Sequence, residues 1–316
     1  MTESAAFELR LVGPGGEPVD LWRTILSHGL VELPPMSVDE VARALEVTLP
    51  LNGGRPQTVR IEPDGRRHAL VRAVGGPPPG SRQGERLLAG VRHVLRLDED
   101  LSEFYALAAA EPELAWAGTG AGRMIRSATV FEDVVKMICT TNCAWSATER
   151  MVGALVEHLG EPAPGAPPSE PLGRAFPTPA AMAAAPEAFY ADIVRAGYRG
   201  RYLRALAERV AEGSVDLEEL ADADLPDDEV AALLLALPGV GPYAAAHVMM
   251  MLGRYSRLVL YSWTRPKYAK VTGGRPVKDT TIERRFRRYG RWAGLAFWLT
   301  VTRDWVADDD GCPRGV

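Results

Sequence analysis

The stretch "LPGVGPYAAAHVMMMLGRYSRLVLYSW", Leu237–Trp263, decides how the rest of the chain is read. It follows "LPDDEVAALLLA" (225–236), so the local order is helix, short turn, helix. Gly239 and Gly241 allow the positive φ that a tight turn needs. Without side chains they also let backbone N–H groups come close to a ligand. Pro242, at the first position of the second helix, costs no hydrogen bond, because the N–H it lacks would be orphaned there anyway. The free N–H groups of a helix start form a phosphate site. Such a hairpin holds a nucleic-acid backbone without reading sequence. Taken alone, it fits an ordinary interhelical turn as well. The stretch ends in "LVLYSW" (258–263), which reads as a strand end carrying Tyr261 and Ser262.

The bulk numbers bound the class. At 316 residues the chain can bury a full core and hold two or three domains. Hydrophobic content of 47% and charged content of 24% are ordinary for a globular protein. No apolar run is long enough to span a membrane, and "MTESAAFELR" lacks the pattern of a secretory signal. The three cysteines, Cys139, Cys143 and Cys312, are too few for a thiolate metal site and read as structural thiols of a reducing cytoplasm. A net charge of −5 argues against a polyanion partner, but its distribution argues for one. Residues 257–291 hold eleven Lys/Arg against two acids, and residues 205–229 hold ten acids against Arg209. Segregation of this kind can make a basic face on an acidic protein. Two solvated surfaces of opposite sign are the other reading.

Along the chain, residues 1–83 read as a small antiparallel β domain. "AFELRLV" (6–12), "ALEVTL" (44–49), "QTVRIEP" (57–63) and "RHALVRAV" (67–74) alternate with period two. "LNGGRP" (51–56) and "EPDGRR" (62–67) place Asn-Gly and Asp-Gly hairpin signals between them. Residues 84–316 read as helical. "SATVFEDVVKMICTTNCAWSATERMVGALVEHLG" (127–160) predicts two helices meeting near "TTNCA". Seven prolines between 162 and 179 make residues 161–179 a loop. Further helices are predicted through 179–253, and "TIERRFRRYGRWAGLAFWLTVTRDW" (281–305) predicts a last helical block.

Three more stretches join the hairpin. "MICTTNCAWSATERMVGALVEHLG" (137–160), "AGYRGRYLRALA" (196–207), "LPGVGPYAAAHVMMML" (237–252) and the β-rich start occur in one order. In that order the chain resembles the helix-hairpin-helix (HhH-GPD) DNA glycosylase superfamily, nearest to 8-oxoguanine DNA glycosylase and 3-methyladenine DNA glycosylase II. The iron–sulfur branch of the superfamily carries four cysteines near its C-terminus, where this chain has only Cys312. The resemblance implies an α+β fold, a small N-terminal antiparallel β domain followed by a mostly helical two-part glycosylase core. It also implies a monomer that flips a damaged base from double-stranded DNA in base excision repair, with no membrane partner.

The same resemblance assigns residues. Asn142 would fill the gap left by the flipped base, a capping asparagine being the alternative. Trp145, Tyr243, Tyr261 and Trp263 would converge on the base pocket, core packing being the alternative for each. Gly239, Val240 and Gly241, with Arg265 and Lys267, would contact DNA. The backbone carbonyls of Leu235, Leu237 and Val240 would hold a structural sodium or potassium ion against a phosphate, and no other cofactor is implied. His247 reads as packed or surface. Glycosidic cleavage passes through an oxocarbenium-like state that a nearby anion stabilises, and the superfamily uses an Asp. Counting from the hairpin, that Asp position is Tyr261, or Ser262 if the loop differs by one residue. The Schiff-base Lys of bifunctional members falls at Tyr243, so the resemblance implies a monofunctional enzyme of attenuated activity. Asp279, Glu283 and Glu149 are the candidate replacement acids, with solvated helix surface as the other reading. A non-cutting reader of lesions or DNA structure, on the same fold, is the alternative function.

Overall fold

The computed structural model of the protein describes residues 6–51, 54–168, 170–222 and 224–306. Five strands, β1 (Ala6–Arg10), β2 (Met36–Asp39), β3 (Ala44–Leu51), β4 (Gly54–Asp64) and β5 (His68–Val74), form one antiparallel sheet in the order β1-β5-β4-β3-β2. Alternation sets which face is buried. In β5, Ala69, Val71 and Ala73 point inward and the residues between them are more exposed. The Asp-Gly signal is a real hairpin: Asp64 pairs with His68, and Gly65 adopts φ +70°. The Asn-Gly signal at Asn52 and Gly53 lies outside the described residues, but the strands on either side pair at Leu51 and Gly54. β2 carried no period-two signal, being a four-residue edge strand directly after Pro34 and Pro35. Arg60 crosses the outer face of the sheet and bonds Asp39 at 2.7 Å, Glu46 at 3.0 Å and Glu62 at 2.7 Å.

The helix Ser81–Val94 lays Leu87, Val91 and Val94 on the inner face of the sheet. The helical remainder has two cores. One gathers the helices Val130–Cys139, Trp145–Leu159, Arg199–Ala211 and Asp227–Leu235. The other surrounds the helix Ala293–Thr302 and takes in residues 101–124 and the helices Thr264–Val271 and Asp279–Phe286. The helix Pro242–Met251 belongs to both cores: Ala244, Ala245, Val248, Met249 and Met251 face the first, Ala246 and Met250 the second. A helix buried on every side must be apolar on every side, which accounts for "AAAHVMMML". Among the described residues, no helix is long and apolar enough to cross a membrane.

Two sequence expectations are corrected. "LVLYSW" is not a strand end; residues 258–260 belong to no helix or strand, and Tyr261 lies in a bend. The sheet is confined to the five N-terminal strands, so this segment satisfies its backbone locally. The Val259 carbonyl accepts from Thr264 Oγ1 at 2.8 Å, and that hydroxyl accepts from the Tyr261 N–H at 2.9 Å. The last helical block is four pieces, Asp279–Phe286, a tighter Arg287–Trp292 segment, Ala293–Thr302 and a final 3₁₀ turn Arg303–Trp305, with Gly290 at φ +54° inside the second. The proline-rich 161–178 segment is irregular, and Pro179 opens the short helix Pro179–Ala184. Cys139 is fully buried, and burial pushes its thiol up to about 12. Cys143 Sγ donates to the Cys139 carbonyl at 3.2 Å, while Cys312 lies outside the described residues.

Candidate functional site

The hairpin is built as its glycines dictate. Gly239 takes φ +78°, and a Cβ there would stand 2.8 Å from Tyr202 Cβ. Glycine is therefore required twice, by conformation and by space. The Val240 N–H closes the turn on the Leu237 carbonyl at 3.2 Å. Gly241 caps the helix Pro242–Met251 with extended backbone and no side-chain bond, so the N–H groups of that first turn, on Tyr243 and Ala244, have no side-chain cap.

A second turn stands beside it. Between the helices Val130–Cys139 and Trp145–Leu159, Asn142 adopts φ +48° and is exposed. It is not a helix cap, since Ala144 holds that place without a side-chain bond. Asn142 Nδ2 donates to Tyr198 Oη at 3.2 Å. Arg199 is buried, and its Nε donates to the Thr141 carbonyl at 2.9 Å, with Nη2 bonding the same oxygen. Its guanidinium also lies over the Tyr198 ring at 4.6 Å. "GYRGRY" thus grips both turns, one through Tyr198 and Arg199, the other through Tyr202.

Between the turns opens a cleft of about 920 Å³, lined by Asn142, Tyr198, the hairpin residues Gly239–Tyr243 and Arg265. Trp145, Tyr243, Tyr261 and Trp263 line both this cleft and an adjoining cavity of about 390 Å³. The four aromatics expected to converge do so. Tyr243 meets Tyr261 with ring centroids 4.9 Å apart, and Trp263 stacks on Tyr261 at 6.2 Å and 28°. The cavity has further walls that the sequence reading missed: His28, Glu32, Trp298 and Trp305. His247, expected to be packed or on the surface, is packed, and it also forms part of the cavity wall. It meets Tyr243 at 4.7 Å and Tyr261 at 5.5 Å. Its i, i+4 spacing from Tyr243 puts both on one helix face.

Both tyrosines stay neutral at physiological pH. Burial, and then the neighbouring Tyr243, raise the Tyr261 phenol well above its ordinary range. Burial likewise raises Tyr243. Of the three acids singled out in the sequence, none lines the cleft or the cavity. Asp279 is held by Arg265 through two bonds of 2.8 Å, and Glu149 and Glu283 are exposed on helices. Glu32, in the 3₁₀ turn Gly29–Glu32, is the acid that lines the cavity among the described residues.

The basic segment is largely paired within the chain. Lys267 meets Asp304 at 2.6 Å, Arg285 meets Glu113 at 2.6 Å and Arg288 meets Glu111 at 2.8 Å, and Arg291 pairs with Glu103. From the acidic 205–229 segment, Asp228 reaches Arg257 at 2.7 Å. With the Arg265–Asp279 pair these are six, of which half take their acid from 103–113, around the helix Ser102–Ala109, and one takes it from 205–229.

A scan of protein-family models matches none, and a search of curated proteins finds no relative. Solved structures do match over nearly the whole chain. The 3-methyladenine DNA-glycosylase of Archaeoglobus fulgidus is 20% identical, with 95% of this chain and 100% of that one covered at a TM-score of 0.71. The 8-oxoguanine glycosylase/lyase of Clostridium acetobutylicum, in complex with double-stranded DNA containing cytosine opposite 8-oxoguanine, is 18% identical, with 96% and 99% covered at 0.70. Its apo form covers 87% of this chain and 92% of its own at 18% identity and 0.64. At 18–20% identity the likeness is one of fold, and the fold of this chain is that of the helix-hairpin-helix DNA glycosylases.

Proposed function

We propose that this chain is a monofunctional DNA N-glycosylase. It would bind double-stranded DNA as a cytoplasmic monomer, flip out a damaged or modified purine and release it in base excision repair. The observation that carries this reading is the placing of the aromatic cavity directly behind the hairpin and the Asn142 turn. Base chemistry inside a duplex requires the nucleotide to leave the stack and enter a pocket that stacks on it. The N–H groups of Tyr243 and Ala244, left without a side-chain cap, suit a phosphate, exposed Asn142 suits the vacated position, and four aromatic rings suit a purine. The carbonyls of Leu235, Leu237 and Val240 fit a monovalent cation: Leu235 ends a helix, where carbonyls lack intrahelical partners, and Leu237 keeps one lone pair beside its bond to Val240. A bound cation would add positive charge for the phosphate.

Cleavage needs an anion near the sugar. Neither neutral tyrosine provides one, and Tyr243 cannot form a Schiff base. Glu32 is the carboxylate that the cavity lining offers, and we assign the anionic role to it. Neutral Tyr261, at the position the resemblance gives to Asp, favours the second reading, a protein that binds lesions without cutting. Incubation with a panel of lesion-bearing duplexes separates the two, with base release and binding measured independently. Release of a purine with unbroken backbone supports the glycosylase. Lesion-selective binding without release at any enzyme excess supports the reader.

A further inference from the structure

Two histidines from distant parts of the chain meet at the floor of the cavity. His28 precedes the Gly29–Glu32 turn, and His247 lies in the middle of the helix Pro242–Met251. His28 Nε2 and His247 Nδ1 are 2.9 Å apart, and both residues are buried. One proton lies between them, and its owner follows from the other ring nitrogens. The Leu30 N–H donates to His28 Nδ1 at 3.3 Å, so that nitrogen carries a lone pair. The His28 proton is then on Nε2, from which it donates to His247 Nδ1. His247 must carry its own proton on Nε2.

That last N–H has no hydrogen-bond partner among the described residues, although its nitrogen is buried. Both rings are neutral. Burial, with the charge of Lys136, draws His28 down to about 4, and burial, with His28, draws His247 well below its ordinary range. Neither ring is free to turn. Trp298 stacks on His28 at 5.6 Å and 21°, while Tyr243, Tyr261 and Trp298 press on His247 from three sides. A buried donor left unsatisfied is costly, and a bound acceptor relieves the cost.

We propose that His28 and His247 form a fixed-tautomer relay that presents the His247 Nε2–H to an acceptor atom on the flipped base, and so selects purines offering a ring nitrogen or carbonyl oxygen at that edge. This rests on the reading of the cavity as a base pocket and names what the pocket asks of the base. The donor comes from a neutral ring, so selection acts through hydrogen-bond geometry and not through charge. A site built to pair a buried polar group rejects a ligand that leaves it unpaired.

Two measurements on the full chain test it. Long-range proton–nitrogen correlation spectra of the histidine-labelled protein at neutral pH are expected to show both His28 and His247 protonated at Nε2. A proton on His247 Nδ1 overturns the relay. The second is binding to duplexes carrying hypoxanthine, 1,N6-ethenoadenine or 8-oxoguanine, each compared with the same duplex carrying a tetrahydrofuran abasic analogue. For the lesion that the wild type prefers, His247→Leu is expected to lose about tenfold in affinity, the scale of one hydrogen bond, with the abasic duplex unaffected. His247→Gln, which restores an N–H donor, is expected to recover most of the loss. If His247→Leu keeps the wild-type preference, or loses both duplexes equally, the relay does not read the base. If the wild type itself prefers none of the three lesions to the abasic duplex, the base-pocket reading fails and this proposal with it.

Discussion

On the proposed reading, Glu32 would supply the negative charge that Tyr261 does not. A phenol raised by burial stays protonated and offsets no positive charge. Tyr261→Asp is therefore expected to raise single-turnover base release roughly a hundredfold or more, the worth of one well-placed electrostatic group. The aromatic surroundings will raise the new carboxyl's pKa, so the gain shrinks as pH falls through that value. Ser262→Asp is the control for a one-residue difference in the loop. Glu32→Gln is expected to cost the parent enzyme on the order of a hundredfold and to cost the Tyr261→Asp enzyme much less. If Glu32→Gln leaves the parent rate unchanged, the anion comes from elsewhere. Tyr243 leads to a further expectation: borohydride will trap no covalent protein–DNA band, and a trapped band in a gel would assign an amine such as Lys267. The four aromatics of this pocket were legible because each lies at a fixed offset from a recognisable turn. His28, Glu32, Trp298 and Trp305 were not. They arrive from both ends of the chain, and nothing in "SHGLVE" or in the apolar run around Trp298 distinguishes a pocket wall from ordinary core.

The turns that face the cleft are held by one helix start. Arg199 fixes the Thr141 carbonyl and Tyr202 packs on Gly239, so the segment 198–202 sets the spacing between the Asn142 turn and the 239–241 hairpin. Arg199→Met is expected to weaken lesion binding about tenfold, since an unpaired buried carbonyl costs about 1–3 kcal/mol and frees Asn142. Fluorescence anisotropy on a lesion duplex reads this, and an unchanged affinity would remove Arg199 from the role. The basic segment behaves differently. Its ion pairs are mostly exposed, and such pairs contribute about 0–1 kcal/mol, so a phosphate can compete for the same guanidinium. Reversing Arg284 and Arg285 together should weaken binding uniformly across sequences and flatten its salt dependence by one to two phosphates' worth, roughly 0.9 in slope for each. Affinity that does not change between low and moderate salt would sink the basic-face idea. The helices were legible wherever one face was apolar, and the sheet wherever residues alternated. The segment 258–263 misled because a short apolar and aromatic run reads as strand whether or not a partner strand exists. The edge strand β2 escaped because four residues after two prolines carry too little pattern.

The sheet and the two helical cores are joined through buried charge, and three buried histidines and one buried carboxyl make the stability of the whole protein depend on pH. Arg123 pairs with Glu17 and donates to the Arg96 and Glu99 carbonyls at 2.6 Å each, while Arg96 reaches the Met251 carbonyl at 2.6 Å. Around this joint sit groups whose protonation differs between folded and unfolded chains. Burial draws His28 and His93 from 6.5 down to about 4, and draws His247 down as well. Between pH 6.5 and 4 the unfolded chain binds protons at these sites that the folded chain refuses, so their contribution is present above 6.5 and lost on acidification. At about 1.4 kcal/mol per pK unit, each of His28 and His93 accounts for at most roughly 3 kcal/mol. Asp133 opposes them. Burial pushes it from 3.8 up to about 7, so over that window the folded chain keeps a proton that the unfolded chain has released, and stability falls as pH rises. Three histidines outweigh one carboxyl, and the thermal midpoint is expected to climb from pH 4 to pH 6.5. His93→Gln, outside the pocket, should make that climb shallower, and Asp133→Asn, which keeps an acceptor for the Ser127 N–H bonded at 3.0 Å, should make it steeper. Calorimetry of the three proteins across this range tests the assignment: parallel curves would show that neither group changes its protonation on folding.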